Sequence, residues 1–346
     1  MFKDIEITDE ERRVFPRWTA LDEDLADMDS GLAEQVLKSR LEFARGDLPR
    51  TDYWHDPEGI DVIADIQYAD DGSRAHRLDL YLPHDSVVRG GRTTPVYIDI
   101  HGGGFVYGYK DLNRNFCTNL AAQGFAVFSI SYRPVPETDF LGQLDDVSAA
   151  FRWIGAHRSD YPIDQDQVFL TGDSAGGTLA LYMTAIERSD RFAEAIGVGQ
   201  SGLSVAGSVL ISPLTDLTPY LALCGNQAGR TVDESSPASI VECIAPTFFA
   251  GLAAKESEFV DLKTMVEKVD LSPVFINTSS DDFIQAESLK LATALASSGR
   301  DVELHDWHIG KGQTLGHVFP VCMSWLDESQ SVLRLMRDFA YANLGC

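Results

Sequence analysis

The chain has 346 residues, of which 44% are hydrophobic and 23% charged, so it can form one large α/β domain or two small ones. Its formal charge of −25 argues against nucleic acid or an anionic membrane surface as a partner, because both need a basic patch. The five cysteines are scattered without metal-ligand spacing, and neither a signal peptide nor a membrane-spanning stretch is predicted. We therefore expect a cytoplasmic protein with free thiols.

Residues 1–55 are predicted to form a helical segment that is separate from the domain at 56–346. Apolar residues recur there at helical spacing, with acidic residues between them: Leu21, Leu25, Met28, Leu32 and Val36. An amphipathic segment this acidic cannot be its own core, so it must lie on the rest of the chain. We expect a lid or cap over the rest of the chain, and a helical packing arm without a functional role is the alternative.

From residue 60 onward, short apolar and alternating runs indicate strands. Eight are predicted, over 60–66, 78–82, 95–100, 125–130, 168–171, 208–211, 274–278 and 302–307. Helices are predicted over 141–157, 283–298 and 324–341, and directly after residue 177. A hairpin followed by strand–helix alternation favours an α/β fold, with a mixed, mostly parallel eight-stranded sheet and helices on both faces.

Residues 213–270 fit this alternation least well. They leave a strand, pass through a polar stretch at 230–236 and include a predicted helix over 244–252. An excursion from the carboxyl edge of a sheet lies where ligands bind, so this segment is a candidate second piece of the cap.

The segment Gly172-Asp173-Ser174-Ala175-Gly176-Gly177 lies between a predicted strand and a predicted helix. Gly-x-Ser-x-Gly in this context is typical of a nucleophile elbow. The tight turn strains the serine backbone and brings the residues two before and two after it too close for side chains, which glycine avoids. Ser174 is therefore the candidate nucleophile, and a glycine-rich turn that merely ends a strand is the alternative.

The run His101-Gly102-Gly103-Gly104-Phe105 directly follows a predicted strand. Such a run lets backbone N–H groups face a developing oxyanion. We predict that the donors are the N–H groups of Gly102, Gly103 and Ala175. His101 is expected to brace the loop rather than take part in chemistry, and a phosphate loop is disfavoured because no Lys-Ser/Thr pair follows.

A triad on this type of fold runs Ser, then Asp or Glu, then His along the chain. That order leaves His305, His308 and His317 as candidate bases; His317, on the loop after the last strand, is preferred and His308 is second. Asp281 is the predicted acid and Asp282 the fallback, since Asp282 could instead cap the next helix. His305 and His308 suggest a metal site only weakly, so no metal or cofactor is expected.

These motifs resemble the hormone-sensitive-lipase-like group of α/β-hydrolases, the bacterial family IV esterases, over roughly residues 75–345. Besides the elbow and the glycine run, the similar segments are Tyr132-Arg133-Pro134-Val135-Pro136-Glu137, Ser212-Pro213-Leu214-Thr215-Asp216-Leu217, Ser280-Asp281-Asp282 and His317-Val318-Phe319. The resemblance implies a carboxylic ester hydrolase with Ser174, Asp281 and His317 as triad, no cofactor and an N-terminal helical cap. The excursion after residue 216 matches nothing specific in that family.

We accordingly expect a serine esterase that hydrolyses short-chain, uncharged esters through an acyl-enzyme, with a small-molecule ester as its partner. Aromatic side chains are candidates to line an apolar pocket under the cap: Phe105, Tyr107, Trp18, Trp54, Phe248 and Phe249. Amide or lactone hydrolysis by the same triad is the main alternative. A binding protein similar to the plant gibberellin receptors is disfavoured, because those lose the base that His317 supplies here; a homodimer stays open.

Overall fold

The computed structural model describes residues 5–88, 94–224, 239–255 and 258–344. The predicted polar stretch at 230–236 lies outside the described residues. Within them, eight strands form one sheet: β1 (Ile60–Gln67), β2 (Arg77–Pro83), β3 (Thr94–Ile100), β4 (Ala126–Ile130), β5 (Ile163–Asp173), β6 (Val205–Ile211), β7 (Val274–Ser279) and β8 (Val302–Trp307).

The strands are ordered β1-β2-β4-β3-β5-β6-β7-β8 across the sheet. β2 runs antiparallel to both of its neighbours, and every pair from β4 to β8 is parallel. The prediction of a mixed, mostly parallel eight-stranded sheet is therefore confirmed. Because the carboxyl ends of parallel strands meet at one edge, the segments that follow β3, β5, β7 and β8 come together there.

The helices of the described residues are α1 (Asp9–Val14), α2 (Ser30–Asp47), α3 (His84–Val88), α4 (Arg114–Ala121), α5 (Phe140–His157), α6 (Ala175–Arg188), α7 (Asp190–Ile196), α8 (Thr218–Leu221), α9 (Ser239–Phe248), α10 (Ala250–Ala253), α11 (Leu262–Lys268), α12 (Gln285–Ser297), α13 (Phe319–Cys322) and α14 (Asp327–Ala342). Short 3₁₀ turns include Phe15–Arg17 and Leu48–Tyr53. The predicted helices over 141–157, 283–298 and 324–341 are confirmed to within three residues at each end. None of the helices described is both long and apolar enough to cross a bilayer.

Successive residues of the central strands face opposite sides of the sheet, as the two-residue period of a strand requires. Tyr97 and Phe169 pack on the side that α4 and α14 cover. Ile98 and Leu170 pack on the other side, with the apolar faces of α5 and α6. The sheet is thus buried on both faces, as in other α/β folds with helices on both sides.

Arg40, a fully buried arginine of α2, holds the N-terminal segment against the rest of the chain. Its guanidinium forms two hydrogen bonds of 2.6 and 2.8 Å with the carboxylate of Asp24 and donates to the carbonyl oxygens of Leu21, Val106 and Val135 at 2.8 to 2.9 Å. A planar guanidinium with five donors can satisfy all of these acceptors at once. One side chain therefore holds α2 against the loop that follows the glycine run.

Candidate active site

Ser174 lies between the end of β5 and the start of α6. Its φ of 51° and ψ of −118° form a backbone conformation that residues other than glycine rarely adopt. Its N–H donates to the carbonyl oxygen of Ile211 on β6 at 2.9 Å, which fixes the turn against the sheet. A Cβ atom on Gly172 would collide with the carbonyl of Gly176, and one on Gly176 would collide with that of Ile100. The predicted steric reason therefore holds at Gly172, whereas at Gly176 the obstacle is the neighbouring strand β3.

His317 lies on the loop between β8 and α13, and its Nδ1 is 2.9 Å from Oδ1 of Asp282. The side chain of Asp282 is fully buried, whereas that of His317 is 20% exposed. Burial acts to raise the pKa of Asp282, but the hydrogen bond and the charge of His317 outweigh it and lower that pKa. Thr278 and Ile284 also donate to the carboxylate, at 3.2 and 3.0 Å, so Asp282 is held in place independently of the imidazole.

The prediction that Asp281 orients the base is wrong in this geometry, and the fallback residue Asp282 occupies that place. Asp281 instead accepts hydrogen bonds from the Thr314 hydroxyl at 2.7 Å and from the N–H groups of Leu315 and Gly316 at 3.1 and 2.9 Å. Burial would raise the pKa of Asp281, but the bonds from Thr314 and the loop N–H groups lower it to about 2. Asp281 therefore anchors the loop that carries His317.

The glycine run also differs from its prediction by one residue. The N–H of Gly102 donates to Oδ1 of Asp173 at 3.0 Å, so it is not directed at a substrate. Gly103 and Gly104, with φ of 106° and 57°, line the same cavity as Ser174. Ala175, the third predicted donor, is the first residue of α6, where an N–H has no acceptor within the helix. The geometry thus favours Gly103, Gly104 and Ala175 over the predicted set.

Behind this loop lies a buried polar network. The side-chain amide of Asn113 donates to Asp173 at 2.8 Å and to both oxygens of Asp99 at 3.2 Å. Burial is the main reason that the pKa of Asp99 rises to about 7 and that of Asp173 to about 6. Asp173 therefore ties the elbow to the glycine run.

His101 braces the start of the glycine run. Its Nδ1 is 2.8 Å from the carbonyl oxygen of Gly102, and its ring stacks on Tyr132 with centroids 4.3 Å apart. Complete burial lowers the pKa of His101 to about 4, which keeps the ring neutral. Neither contact places His101 at Ser174, in keeping with a bracing role.

A cavity of about 290 Å³ opens at Ser174 and His317. The two predicted cap segments form part of its wall: α2 and the turn after it contribute Phe43, Asp47 and Arg50, and α9 contributes Ile240 and Val241. The sequence analysis did not single out any of these five residues. Phe43 and Arg50 lie seven positions apart in a segment predicted to be helical, and this spacing is the signal that could have found them. In the structure α2 ends at Asp47, and Arg50 lies in the 3₁₀ turn that follows.

Of the six aromatic residues predicted to line a pocket, Tyr107 and Trp54 lie in the cavity wall. The other four do not. Phe105 is buried against Phe248 and Phe249, with ring centroids 5.0 and 5.8 Å away, and Trp18 is buried beside Phe15. These rings fill the core beneath the cap, because mutual contact buries them more completely than a cavity wall would.

Phe283 is an aromatic residue of the cavity that the sequence analysis missed. It directly follows Asp282, is 53% exposed, and its ring centroid lies 4.6 Å from that of His317. An exposed phenyl ring beside the base narrows the approach to the imidazole. Its position directly after a candidate acid was the available signal.

Comparison with known proteins shows which family the chain belongs to. A family model described as the alpha/beta hydrolase fold matches residues 97–319, more than half of the chain. Esterase LipI of Mycobacterium tuberculosis is 26% identical over 64% of this chain and 65% of its own length, and carboxylesterase NlhH of the same organism is 26% identical over 61% and 63%. The matches thus span less than two thirds of the length of these curated relatives.

Solved structures agree over a longer part of the chain. Esterase B from Lactobacillus rhamnosis superposes with a TM-score of 0.77 at 27% identity, covering 90% of this chain and 96% of that one. A hyperthermophilic esterase from Pyrobaculum calidifontis, at 21% identity and a TM-score of 0.65, covers 98% and 99% and shares the fold. The predicted resemblance is thereby confirmed: the chain belongs to the α/β-hydrolase fold family, within its hormone-sensitive-lipase-like group.

Proposed function

We propose that the chain is a serine carboxylesterase that acts through Ser174, His317 and Asp282. The observation that carries the proposal is the contact between buried Asp282 and His317, which lines a cavity together with Ser174 and two glycines of the glycine run. This is the set that acyl transfer requires: a nucleophile, a base, an acid that orients the base, and oxyanion donors. The names of the esterase relatives support the same class of reaction.

In the proposed mechanism, His317 accepts the Ser174 proton as the hydroxyl oxygen attacks the ester carbonyl carbon. The N–H groups of Gly103, Gly104 and Ala175 stabilise the oxyanion of the tetrahedral intermediate. The imidazolium then gives its proton to the departing alcohol, which leaves an acyl group on Ser174. A water molecule, deprotonated by the same imidazole, attacks the acyl-enzyme and releases the acid, while Asp282 stabilises the imidazolium in both halves.

The same cavity limits the substrate. A volume of about 290 Å³ under a wall that includes Phe43, Trp54 and Ile240 suits short acyl and alcohol groups. The formal charge of −25 adds a field that repels anionic esters. We therefore propose short, uncharged esters as the substrate class.

A Ser174→Ala variant tests the proposal with p-nitrophenyl acetate and butyrate. We expect kcat/KM to fall by about 10³-fold or more, because only binding and the oxyanion hole remain. Ser331→Ala on α14, outside the cavity wall, is the matched control and should keep wild-type activity. A phosphonate of tributyrin, a compound that inhibits esterase B, should add its mass to the wild type and not to Ser174→Ala.

Normal ester turnover by Ser174→Ala would refute the proposed nucleophile. Ester, arylamide and lactone substrates compared on the wild type would separate the esterase from the amidase and lactonase alternatives, which use the same residues. A protein that binds an ester without turning it over would be a binding protein on this scaffold. The contact of His317 with Asp282 speaks against that outcome, because a binding site has no need of an oriented base.

A further inference from the structure

The cavity wall contains a charged cluster that the proposed reaction does not use. Asp47 ends α2, and Arg50 follows it in the adjoining 3₁₀ turn. Nη1 of Arg50 lies 2.5 Å from Oδ1 of Asp47 and 2.8 Å from Sγ of Cys322, and the Tyr107 hydroxyl donates to Oδ2 of Asp47 at 2.8 Å. All four residues line the cavity. We call Asp47, Arg50 and Tyr107 the Arg50 cluster.

In a cavity that bound only hydrocarbon groups, this cluster would lower the stability of the protein. Side-chain exposure is 35% for Arg50 and 16% for Asp47, so much of both ions has been removed from water. Desolvation of an ion pair often exceeds the attraction it gains, and apolar residues of similar size would stabilise such a wall as well or better. Burial also raises the pKa of Asp47 despite the adjacent cation, which is a measure of that cost. A charged cluster that lowers stability in this way indicates that a ligand forms hydrogen bonds with it.

The guanidinium has donors to offer such a ligand. Asp47 and Cys322 both engage Nη1, whereas a guanidinium carries five N–H groups. The carboxylate of Asp47 balances the positive charge, and exposed Glu42 adds a negative charge to the same cavity. The cluster is therefore suited to hydrogen bonding with an uncharged oxygen rather than to binding an anion.

We propose that the Arg50 cluster binds a carbonyl or hydroxyl oxygen carried by the ester substrate, so that the preferred substrates are oxygenated esters rather than plain alkyl esters. The inference rests on the proposed esterase function and names the substrate class of the same site. Tyr107 lies three residues after Gly104 and its N–H donates to the carbonyl of Gly103 at 3.0 Å, so the cluster flanks the glycine run. The oxygen sits on either the acyl or the alcohol part of the ester, and the test distinguishes the two.

The experiment compares kcat/KM for esters of equal length by proton release in a pH-stat. Ethyl 4-oxopentanoate against ethyl pentanoate probes the acyl part, and 3-oxobutyl acetate against butyl acetate probes the alcohol part. Monoethyl succinate supplies the anionic comparison. We expect the wild type to prefer the oxo ester in one arm by roughly tenfold or more, the effect of one hydrogen bond to a charged group.

Arg50→Met should bring the preferred ratio close to one. Arg45→Met is the matched control, because Arg45 lies on α2 just before the turn that carries Arg50 and pairs with Glu11 at 2.6 Å but does not line the cavity. Its ratio should equal that of the wild type. Asp47→Asn keeps the shape of the wall and leaves Arg50 without its counter-charge. For this variant, the ratio of kcat/KM on monoethyl succinate to that on ethyl pentanoate should therefore exceed the wild-type ratio. This measurement tests the inference even if Arg50→Met fails to fold.

The inference is overturned if the wild type prefers the alkyl ester in both arms, if it prefers monoethyl succinate, or if Arg45→Met lowers the ratio as much as Arg50→Met. It is also overturned if Asp47→Asn leaves the relative rate on monoethyl succinate unchanged. These outcomes leave the esterase function intact, since every one of them requires ester turnover. If the wild type hydrolyses none of the esters, the proposed function itself fails and this inference fails with it.

Discussion

Replacing Asp282 with Asn separates the roles of two adjacent carboxylates. Oδ1 of Asp282 lies 2.9 Å from Nδ1 of His317, and two unit charges at that distance attract by roughly 6 kcal/mol at an effective dielectric constant of about 20. An amide keeps an acceptor oxygen but loses the charge that stabilises the imidazolium in the transition state. Since each 1.4 kcal/mol or so is a factor of ten, we expect Asp282→Asn to lower kcat/KM by roughly 10⁴-fold.

Asp281→Asn is the matched control, because it makes the same chemical change one residue earlier. Asp281 accepts from Thr314, Leu315 and Gly316 but not from His317, so its variant should lose stability before it loses chemistry. We expect its melting temperature to fall and its kcat/KM to drop by less than about tenfold, as weaker loop anchoring costs about 1–2 kcal/mol.

The assay is steady-state hydrolysis of p-nitrophenyl acetate, with thermal unfolding measured on the same samples. A folded Asp282→Asn variant with near-wild-type kcat/KM would refute the geometric assignment. So would a loss of roughly 10⁴-fold in Asp281→Asn without a change in melting temperature. Either result would return Asp281 to the role that its place after β7 first suggested.

Three further predictions concern the frame around the site. Gly176→Ala would force a Cβ atom into the last carbonyl oxygen of β3, so kcat/KM should fall by roughly 10²-fold. The control is Gly199→Ala, whose Cβ atom meets open space and which should leave kcat/KM unchanged in the same assay. Burial, and then the charge of Asp173, raise the pKa of Asp99 to about 7, so the folded state holds the proton more tightly than the unfolded chain. Stability from this group is present at low pH and lost as pH rises through about 7, and denaturant titrations between pH 4 and about 8 should show a fall in unfolding free energy that Asp99→Asn reduces. Arg40→Met should lower the unfolding free energy by about 3–5 kcal/mol, because it leaves the carboxylate of Asp24 without its buried partner. An unchanged denaturation midpoint would contradict the role of Arg40 in holding α2 in place.

The parts of the site that local sterics determine were predictable from the sequence. The elbow at Ser174 requires Gly172 because of its own turn, and Gly176 because β3 lies against it as the neighbouring strand. The order of triad residues left three histidines, and the loop after the last strand favoured His317. The buried strands were recognisable from their apolar runs. β5 is the exception at its start: it begins at Ile163, five residues before the predicted strand, where Asp and Gln conceal the pattern.

The two predictions that differ from the structure depend on where a side chain or a backbone N–H group points, which a sequence does not display. Asp281 and Asp282 are adjacent, and only the course of the chain after β7 turns one toward the 314–316 loop and the other toward His317. In the same way, the backbone of the glycine run directs the N–H of Gly102 to Asp173. Residue type and spacing were right in both cases, and the error was one residue.

Aromatic residues pose a different problem, because core and cavity wall draw on the same residue types. Phe105 and Phe248 looked equivalent to Tyr107 and Trp54 in the sequence, yet the first two are buried against each other and the last two line the cavity. Tertiary packing alone makes that distinction. The tests for substrate choice therefore belong to residues found only in the folded chain.

Helix α2 and the loop that carries the glycine run are coupled by hydrogen bonds, which bears on how substrate choice and rate would relate in the proposed enzyme. Arg40 and Asp47, both from α2, contact the segment that follows the glycines: one donates to the carbonyl of Val106 at 2.9 Å, and the other accepts from the Tyr107 hydroxyl at 2.8 Å. The N–H of Tyr107 in turn donates to the carbonyl of Gly103 at 3.0 Å. A ligand that shifts α2 is therefore expected to move Gly103, a proposed oxyanion donor, as well. Since donors misplaced by about 1 Å cost roughly 10²-fold, substitutions in α2 should change kcat together with KM, and a cap that only admitted substrate would change KM alone.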